Sequence, residues 1–130
     1  MATKLFVNLP VQDLGRSKAF FTELGLAFFG QAGDMASVII SEHTQVMLLT
    51  EAAFASYARN GIADAAAATE MILVLGVETR EQVDALADQA QAAGGELVGA
   101  PRDDSYRYQR GFTDLDGHHW EALCLIEPAS

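Results

Sequence analysis

The period of hydrophobic and polar residues changes several times along the first part of the chain. Alternation over residues 5–11 predicts a strand. Apolar residues at helical spacing over residues 14–24 then predict a helix that begins at the N-cap Asp13 and ends at Gly25. Three short apolar runs between residues 26 and 50 predict an antiparallel meander. This part of the chain is therefore predicted to form a β-α-β-β-β module.

The second half of the chain repeats the pattern of the first. A shift of the sequence that lays Phe6 on Ile72 also lays Asp13 on Thr79. Thr79 and Gln82 have the spacing of a capping box, which indicates the start of a second helix. Strand, N-cap, helix and glycine thus recur in the same order, and the apolar runs that follow complete a second β-α-β-β-β module. An internal repeat of this length is a stronger indication of the fold than any single element.

The predicted fold class is α+β, built from two tandem β-α-β-β-β modules. A length of 130 residues suits a single domain, because it leaves no room for a second independent core. The first module is expected at about residues 1–60 and the second at about residues 69–130. An alanine-rich linker at about residues 61–68 is expected to join them.

The composition narrows the range of partners. A formal net charge of -10 repels polyanions, so a cationic or neutral small molecule is expected as the ligand, and nucleic acid and membrane surfaces are not. No apolar run approaches the roughly 20 residues of a membrane helix, and the first residues lack the pattern of a signal peptide, so we expect a cytoplasmic protein. The single cysteine, Cys124, lies in an apolar run and is predicted to be a small core residue.

The candidate site lies near the end of the chain, in the stretch FTDLDGHHWEAL. Its Asp and Gly residues predict a tight turn between two strands, and the turn carboxylates Asp114 and Asp116 are expected to be solvated. Alternation beyond the turn places His119 and Glu121 on one face of the second strand and Trp120 on the other. The sequence therefore predicts an acidic side chain on the inner face of a sheet.

Glu121 needs a partner on such a face. A carboxylate among apolar neighbours is costly unless a metal, a ligand or a proton accompanies it. Two roles stay open: contact with a ligand, or a structural pair with Arg107, Arg110 or a histidine. His118 is expected to hydrogen-bond the turn closed, and the histidines of the chain do not show the spacing of a known metal site.

Two motifs carry a resemblance to a known family. The doubled chain opens with V-x-D-L-x-R-S-x-x-F-F at residues 11–21 and closes with D-x-D-G-H-x-W-E at residues 114–121. In this it resembles the vicinal oxygen chelate superfamily, which includes glyoxalase I, extradiol dioxygenases and bleomycin-resistance proteins. The resemblance implies eight strands in a half-open barrel, a ligand on the concave side, and a homodimer.

The resemblance also implies where a metal would bind. The family holds its metal by one inward residue from each of four strands, and these positions fall on Phe6, Leu48, Ile72 and Glu121. The first three have no metal-binding atoms, and a slip in alignment that brings Asn8 to the first position adds only a poor ligand for Zn or Ni. One carboxylate does not hold a catalytic divalent ion, which needs about three protein ligands. We therefore expect no metal cofactor.

Two functions remain, and the sequence leaves open whether the protein is an enzyme. The first is a metal-free binding protein, similar to the bleomycin-resistance proteins, with a small organic ligand in a concave apolar pocket. The second is a lyase or dioxygenase of the glyoxalase or extradiol dioxygenase type, with a divalent ion (Zn, Ni, Mn or Fe) and Glu121 as its catalytic residue. The candidate ligand contacts are Phe6, Asn8, Leu48, Thr50, Ile72, Val74, Tyr106, Tyr108, Arg110, His119 and Glu121.

Overall fold

Two compact units make up the chain, and the division between them falls between Asp64 and Ala65. The structure is a computed structural model that describes residues 3–126, apart from the side chains of residues 30–32. Each unit contains one four-stranded sheet, in which two further antiparallel strands extend a parallel pair. No helix within residues 3–126 is long and apolar enough to cross a membrane.

The first unit has the strand order β1-β4-β3-β2. Its elements are β1 (Leu5–Val11), α1 (Leu14–Glu23), β2 (Ala27–Ala32), β3 (Met35–Ser41), β4 (Thr44–Thr50) and α2 (Glu51–Tyr57). Helix α1 begins as predicted, because the Asp13 carboxylate accepts a hydrogen bond of 3.0 Å from the backbone N–H of Arg16. Strand β2 continues to Ala32 and β3 begins at Met35, so a two-residue turn joins them.

The two faces of the first sheet differ sharply in burial. Leu9, Val38 and Leu48 share one face and are fully buried, together with Phe20 and Phe21 of α1. Burial of each such side chain stabilises the fold by about 1.5–3 kcal/mol. We call the side of a sheet that packs against its long helix the helix face and the opposite side the open face.

The second unit has the strand order β5-β8-β7-β6. Its elements are β5 (Ile72–Val77), α3 (Arg80–Ala92), β6 (Leu97–Asp103), β7 (Arg107–Thr113) and β8 (His119–Leu125). The predicted capping box is present, because Thr79 Oγ1 accepts from the backbone N–H of Gln82 and Gln82 Oε1 accepts from the backbone N–H of Thr79. Helix α3 thus begins where the sequence predicts it.

The helix face of the second sheet carries its own core. Val83 of α3 is buried against Ala122 and Cys124 of β8, with Leu86 and Tyr108 packed around them. Cys124 is therefore the core residue that the sequence predicted. The order of elements in both units confirms the predicted fold class, α+β with two tandem β-α-β-β-β modules.

Candidate functional site

Glu121 lies on the open face of the second sheet, in the strand β8 between two neighbours. The register places it directly beside Val74 of the parallel strand β5 and beside Gly111 of the antiparallel strand β7. His119 lies two residues earlier in β8, beside Ile72. Since cross-strand partners share a face, these side chains line one surface of the sheet.

Two side chains hold the Glu121 carboxylate. His119 Nε2 lies 2.5 Å from Glu121 Oε2, and the Gln109 side-chain amide donates to Glu121 Oε1 over 3.1 Å. The side chains of His119 and Glu121 are 16% and 14% exposed. We call Gln109, His119 and Glu121 the Glu121 cluster. Of the three kinds of structural partner that the sequence left open for Glu121, the structure shows a histidine.

Gly111 provides the room in which the carboxylate lies. A Cβ atom built on Gly111 would collide with Glu121 Oε2 and would lie 3.0 Å from Glu121 Cδ. The carboxylate therefore lies over the backbone of β7, where Gln109, two residues away on the same strand and face, reaches it. Sequence reasoning missed both Gln109 and Gly111, because only the pairing register places them beside Glu121.

Half-exposed apolar side chains lie on the β5 side of the cluster. Ile72 and Val74 are each 49% exposed, although they belong to an apolar strand. They share the open face with His119 and Glu121, their partners in the register. The structure thus brings together four of the residues that the sequence predicted as ligand contacts.

Tyr108 and Arg110 lie on the helix face, which corrects the prediction that they contact a ligand together with Glu121. They alternate with Gly111 along β7, so they point to the opposite side of the sheet. Tyr108 donates to Asp84 Oδ1 over 2.6 Å, and Arg110 Nη1 lies 3.0 Å from both Asp84 and Asp88 of α3. The bond from Tyr108 lowers the pKa of Asp84, and the same bond raises the pKa of Tyr108. Both side chains join the helix to the sheet.

Tyr106 lies before β7 begins and is exposed. The guanidinium carbon of Arg107 is 5.0 Å from the centre of its ring, and Arg107 Nε donates to Asp104 over 3.2 Å. These contacts tie Arg107 to the loop that precedes β7. Neither residue is part of the Glu121 cluster.

The candidates in the first unit divide between the two faces of the sheet. Phe6 and Asn8 lie on the open face, whereas Leu48 pairs with Leu9 on the helix face and is fully buried. This corrects the prediction that Leu48 and Phe6 share a face. Thr50 also lies on the helix-face side of the register, and its hydroxyl caps α2 by accepting from the backbone N–H of Ala53 over 3.3 Å.

Met47 is the first-unit residue that corresponds to Glu121. Asn8 pairs with Met47 in the first sheet as Val74 pairs with Glu121 in the second. The position that the resemblance assigned to Leu48 therefore belongs to Met47, one residue earlier. A shift by one residue exchanges the faces of a strand, and the sequence alone did not specify the register of this parallel pair.

Asp114 anchors the turn that precedes β8. The sequence predicted that this side chain is solvated, but it is buried. The residue is 4% exposed. Oδ1 accepts from the backbone N–H groups of Asp116 and His118 over 3.0 Å each, and Trp120 Nε1 donates to Oδ2 over 3.0 Å. Burial raises the pKa of the Asp114 carboxyl group. The bond from Trp120 helps to keep that side chain on the helix face, so Glu121, the next residue, faces the open side.

The sequence model of the Glyoxalase/Bleomycin resistance protein/Dioxygenase superfamily matches residues 5–122. The chain belongs to this superfamily. The match includes all residues of both motifs on which the sequence-based resemblance rested. It also includes every element from β1 to the first half of β8. A search of curated protein sequences gives no match.

Solved structures of superfamily members and related proteins have the same fold. A hypothetical protein from S. aureus is 31% identical, with a TM-score of 0.81 over 95% of this chain and 94% of that one. A superfamily enzyme from Burkholderia phytofirmans PsJN is 20% identical, with a TM-score of 0.78 over 96% and 100% of the two chains. An antibiotic-binding protein, TnmS3 from Streptomyces sp. CB03234, is 20% identical, with a TM-score of 0.69 over 97% and 98%. At these identities, the last two show a likeness of fold alone.

The side chains of this superfamily member do not fit the metal site that the resemblance implies. Within residues 3–126, no group of three or more His, Cys, Asp or Glu side chains is placed to hold a metal ion. His119 and Glu121 are hydrogen-bonded to each other. In the first unit, Gln45 and Met47 occupy the positions that correspond to His119 and Glu121. A catalytic divalent ion needs about three protein ligands, and only two side chains of the Glu121 cluster, His119 and Glu121, are of a type that usually binds such ions.

Proposed function

We propose that this superfamily member binds a small organic molecule on the open face of its second sheet, and that it does so without a metal. The observation that carries the proposal is the Glu121 cluster, a group of polar side chains that lies beside half-exposed apolar residues. Ligand sites combine apolar walls with a few polar groups that orient the ligand. The ligand class is a cationic or neutral molecule with an apolar body.

The Glu121 carboxylate is the polar anchor. Among the described residues, each of its oxygens has one hydrogen-bond partner, His119 Nε2 or the Gln109 amide. A carboxylate accepts about four hydrogen bonds in all, so acceptor capacity remains for a donor on the ligand. A net charge of -10 attracts cations to the protein. A protonated amine or an amidinium group therefore suits this anchor.

Ile72 and Val74 supply the apolar contact. Each is 49% exposed, and fully burying a side chain of this size contributes about 1.5–3 kcal/mol. Covering the exposed half of both side chains therefore contributes about 1.5–3 kcal/mol in total. This contribution and the hydrogen bonds to Glu121 must outweigh the entropy that the ligand loses on binding.

A divalent-metal lyase or dioxygenase is the alternative function. Membership of the superfamily favours it, as does the pair of potential metal donors His119 and Glu121. It requires at least one further donor, which the described residues do not place beside this pair.

Metal analysis and binding of a cationic probe test the proposal. We expect elemental analysis of the purified protein to find no stoichiometric Zn, Ni, Mn or Fe. We expect benzamidine to shift the backbone amide NMR signals of β5 and β8, and its neutral analogue benzamide to shift them less. Glu121→Gln should abolish the preference for benzamidine, whereas Glu23→Gln, which removes the same charge from an exposed side chain of α1, should not.

Two results would contradict the proposal. One is about one metal ion per chain that is lost in Glu121→Gln, which would support the enzyme alternative. The other is a set of benzamidine-induced shifts that leaves the amides of β5 and β8 unchanged, which would place the ligand elsewhere.

A further inference from the structure

We infer that Gly111 is a positioning residue, which sets where the Glu121 carboxylate meets a hydrogen-bond donor of the ligand. The inference rests on the proposed function and adds to it a residue that does not itself offer the ligand a polar side chain. The position of the carboxylate determines which hydrogen-bond donors of a ligand reach it, and therefore which ligands the site selects.

Gly111 leaves room for another side chain above the backbone of β7. The Glu121 carboxylate occupies the volume that a Cβ atom at residue 111 would need. Any other residue at this position must therefore push the carboxylate away from β7. Gly111 does not have a positive φ, so its backbone conformation does not require glycine. A side chain at this position would meet the Glu121 carboxylate and, at 3.2 Å from its Cβ atom, the carbonyl oxygen of Val98.

The carboxylate gains a second hydrogen-bond partner from this position. Lying over β7, it accepts from the Gln109 amide over 3.1 Å while it stays 2.5 Å from His119 Nε2. Partners on both oxygens restrict its rotation, and a restricted acceptor loses less entropy when a ligand binds. A carboxylate that is displaced from β7 loses the hydrogen bond from Gln109 and extends away from the sheet on its open face.

The position of the carboxylate also determines how much room a ligand has. With the carboxylate close to the sheet, the surface beside it on β5 stays open over Ile72 and Val74. A ligand whose donor group lies near the plane of its apolar body, such as an aryl amidine, meets both at once. A raised carboxylate would take up part of that space, so the site would lose both the anchor geometry and the apolar contact.

Gly76 provides a matched control. It lies on β5, on the same open face, and a Cβ atom built on it has no neighbour within 4 Å. Like Gly111, it does not have a positive φ. Gly76→Ala and Gly111→Ala therefore make the same chemical change on the open face of the same sheet, but only Gly111→Ala creates a collision with Glu121.

The first measurement uses the ligand-free protein and reports on the cluster directly. In Gly111→Ala, we expect the side-chain amide protons of Gln109 to move to their NMR positions in the Glu121→Ala variant, and the imidazole Nε2 of His119 to shift from its wild-type position. In Gly76→Ala, these signals should stay where they are in the wild type. If they also stay in place in Gly111→Ala, Gly111 does not position the carboxylate and the inference is wrong.

The second measurement is benzamidine affinity. We expect Gly111→Ala to weaken binding at least tenfold and Gly76→Ala to change it less than twofold. Cluster signals that move in Gly111→Ala without any loss of benzamidine affinity would overturn the role in ligand selection. Failure of the wild type to bind benzamidine would count against the proposed function, whereas the signals of the ligand-free protein would still test the position of Glu121.

A double-mutant cycle covers the case in which Gly111→Ala destabilises the fold. A Cβ atom at residue 111 also lies 3.2 Å from the carbonyl oxygen of Val98, and this contact is the same with or without Glu121. We expect Gly111→Ala to lower the urea midpoint, and to lower it by less than half as much when Glu121 is already replaced by alanine. Equal decreases in both backgrounds would show that Glu121 is not the residue that requires glycine.

Discussion

Asp114→Asn is the substitution that most directly tests how the turn before β8 is built. The two Asp114 oxygens accept three hydrogen bonds, two from backbone N–H groups and one from Trp120 Nε1. Asparagine has one side-chain oxygen. If that oxygen keeps the two backbone bonds, the new NH₂ group faces the indole N–H of Trp120, and two donors meet in a buried site.

The expected cost follows from the buried groups. A buried donor that loses its partner costs about 1–3 kcal/mol, and here the indole N–H and the new NH₂ group are both affected. We therefore expect Asp114→Asn to lower the free energy of unfolding by about 2–6 kcal/mol. Domains of this kind are stable by about 5–15 kcal/mol, so the loss is a large share of the total.

The cost should also depend on pH. Burial raises the folded-state pKa of Asp114, so the native state holds the proton more tightly than the unfolded chain does. This contribution to stability is complete below the unfolded pKa of about 3.9 and is lost as pH rises through the folded pKa. Asparagine does not titrate. The difference between wild type and Asp114→Asn should therefore be larger near pH 4 than near pH 8.

Urea unfolding followed by fluorescence is the assay, because Trp120 is the single tryptophan of the chain. Asp13→Asn is the matched control, since asparagine caps a helix about as well as aspartate and should change stability little. A cost for Asp114→Asn no larger than that of Asp13→Asn would refute the account of the buried turn. A cost that grows from pH 4 to pH 8 would refute the raised pKa.

Three further predictions concern other parts of the structure. Thr79→Ala should cost about 1 kcal/mol in thermal or urea unfolding, because it removes the cap of α3, and Thr79→Ser should restore most of that stability. Tyr108→Phe should cost about 1–2 kcal/mol through the lost bond to Asp84 and leave benzamidine affinity unchanged; a clear loss of affinity would return Tyr108 to the ligand site. We also propose a homodimer, since β1, β2, β5 and β6 are the edge strands of the two sheets and unpaired edges favour association. Light scattering at micromolar concentration should give twice the 13.9 kDa chain mass, and a monomer would contradict this proposal.

The local elements could be predicted from the sequence because their determinants lie close together along the chain. Asp13 caps α1, and Thr79 with Gln82 caps α3, through bonds that span three residues. The alternation that sets His119 and Glu121 apart from Trp120 is likewise a property of one strand. The internal repeat then indicated that the second unit has the same order of elements as the first.

Contacts between strands required the tertiary structure. Alternation predicts which residues of a strand share a face, but it does not say which face is open or which residue of the next strand lies alongside. Leu48 was therefore placed on the face that belongs to Met47, and Arg110 on the face that belongs to Gly111. In each case a shift of one residue exchanges a buried side chain for an open one.

The sequence by itself determined the fold class, the helix caps and the presence of the carboxylate Glu121 on the face of β8 opposite to Trp120. The tertiary structure decided what surrounds that carboxylate: His119 and Gln109 as its partners, and Gly111 as the space that holds it. It also decided that Asp114 is buried and accepts a hydrogen bond from the indole N–H of Trp120. The physical reason is that burial and pairing depend on residues far apart along the chain, and these meet only when the sheet has formed.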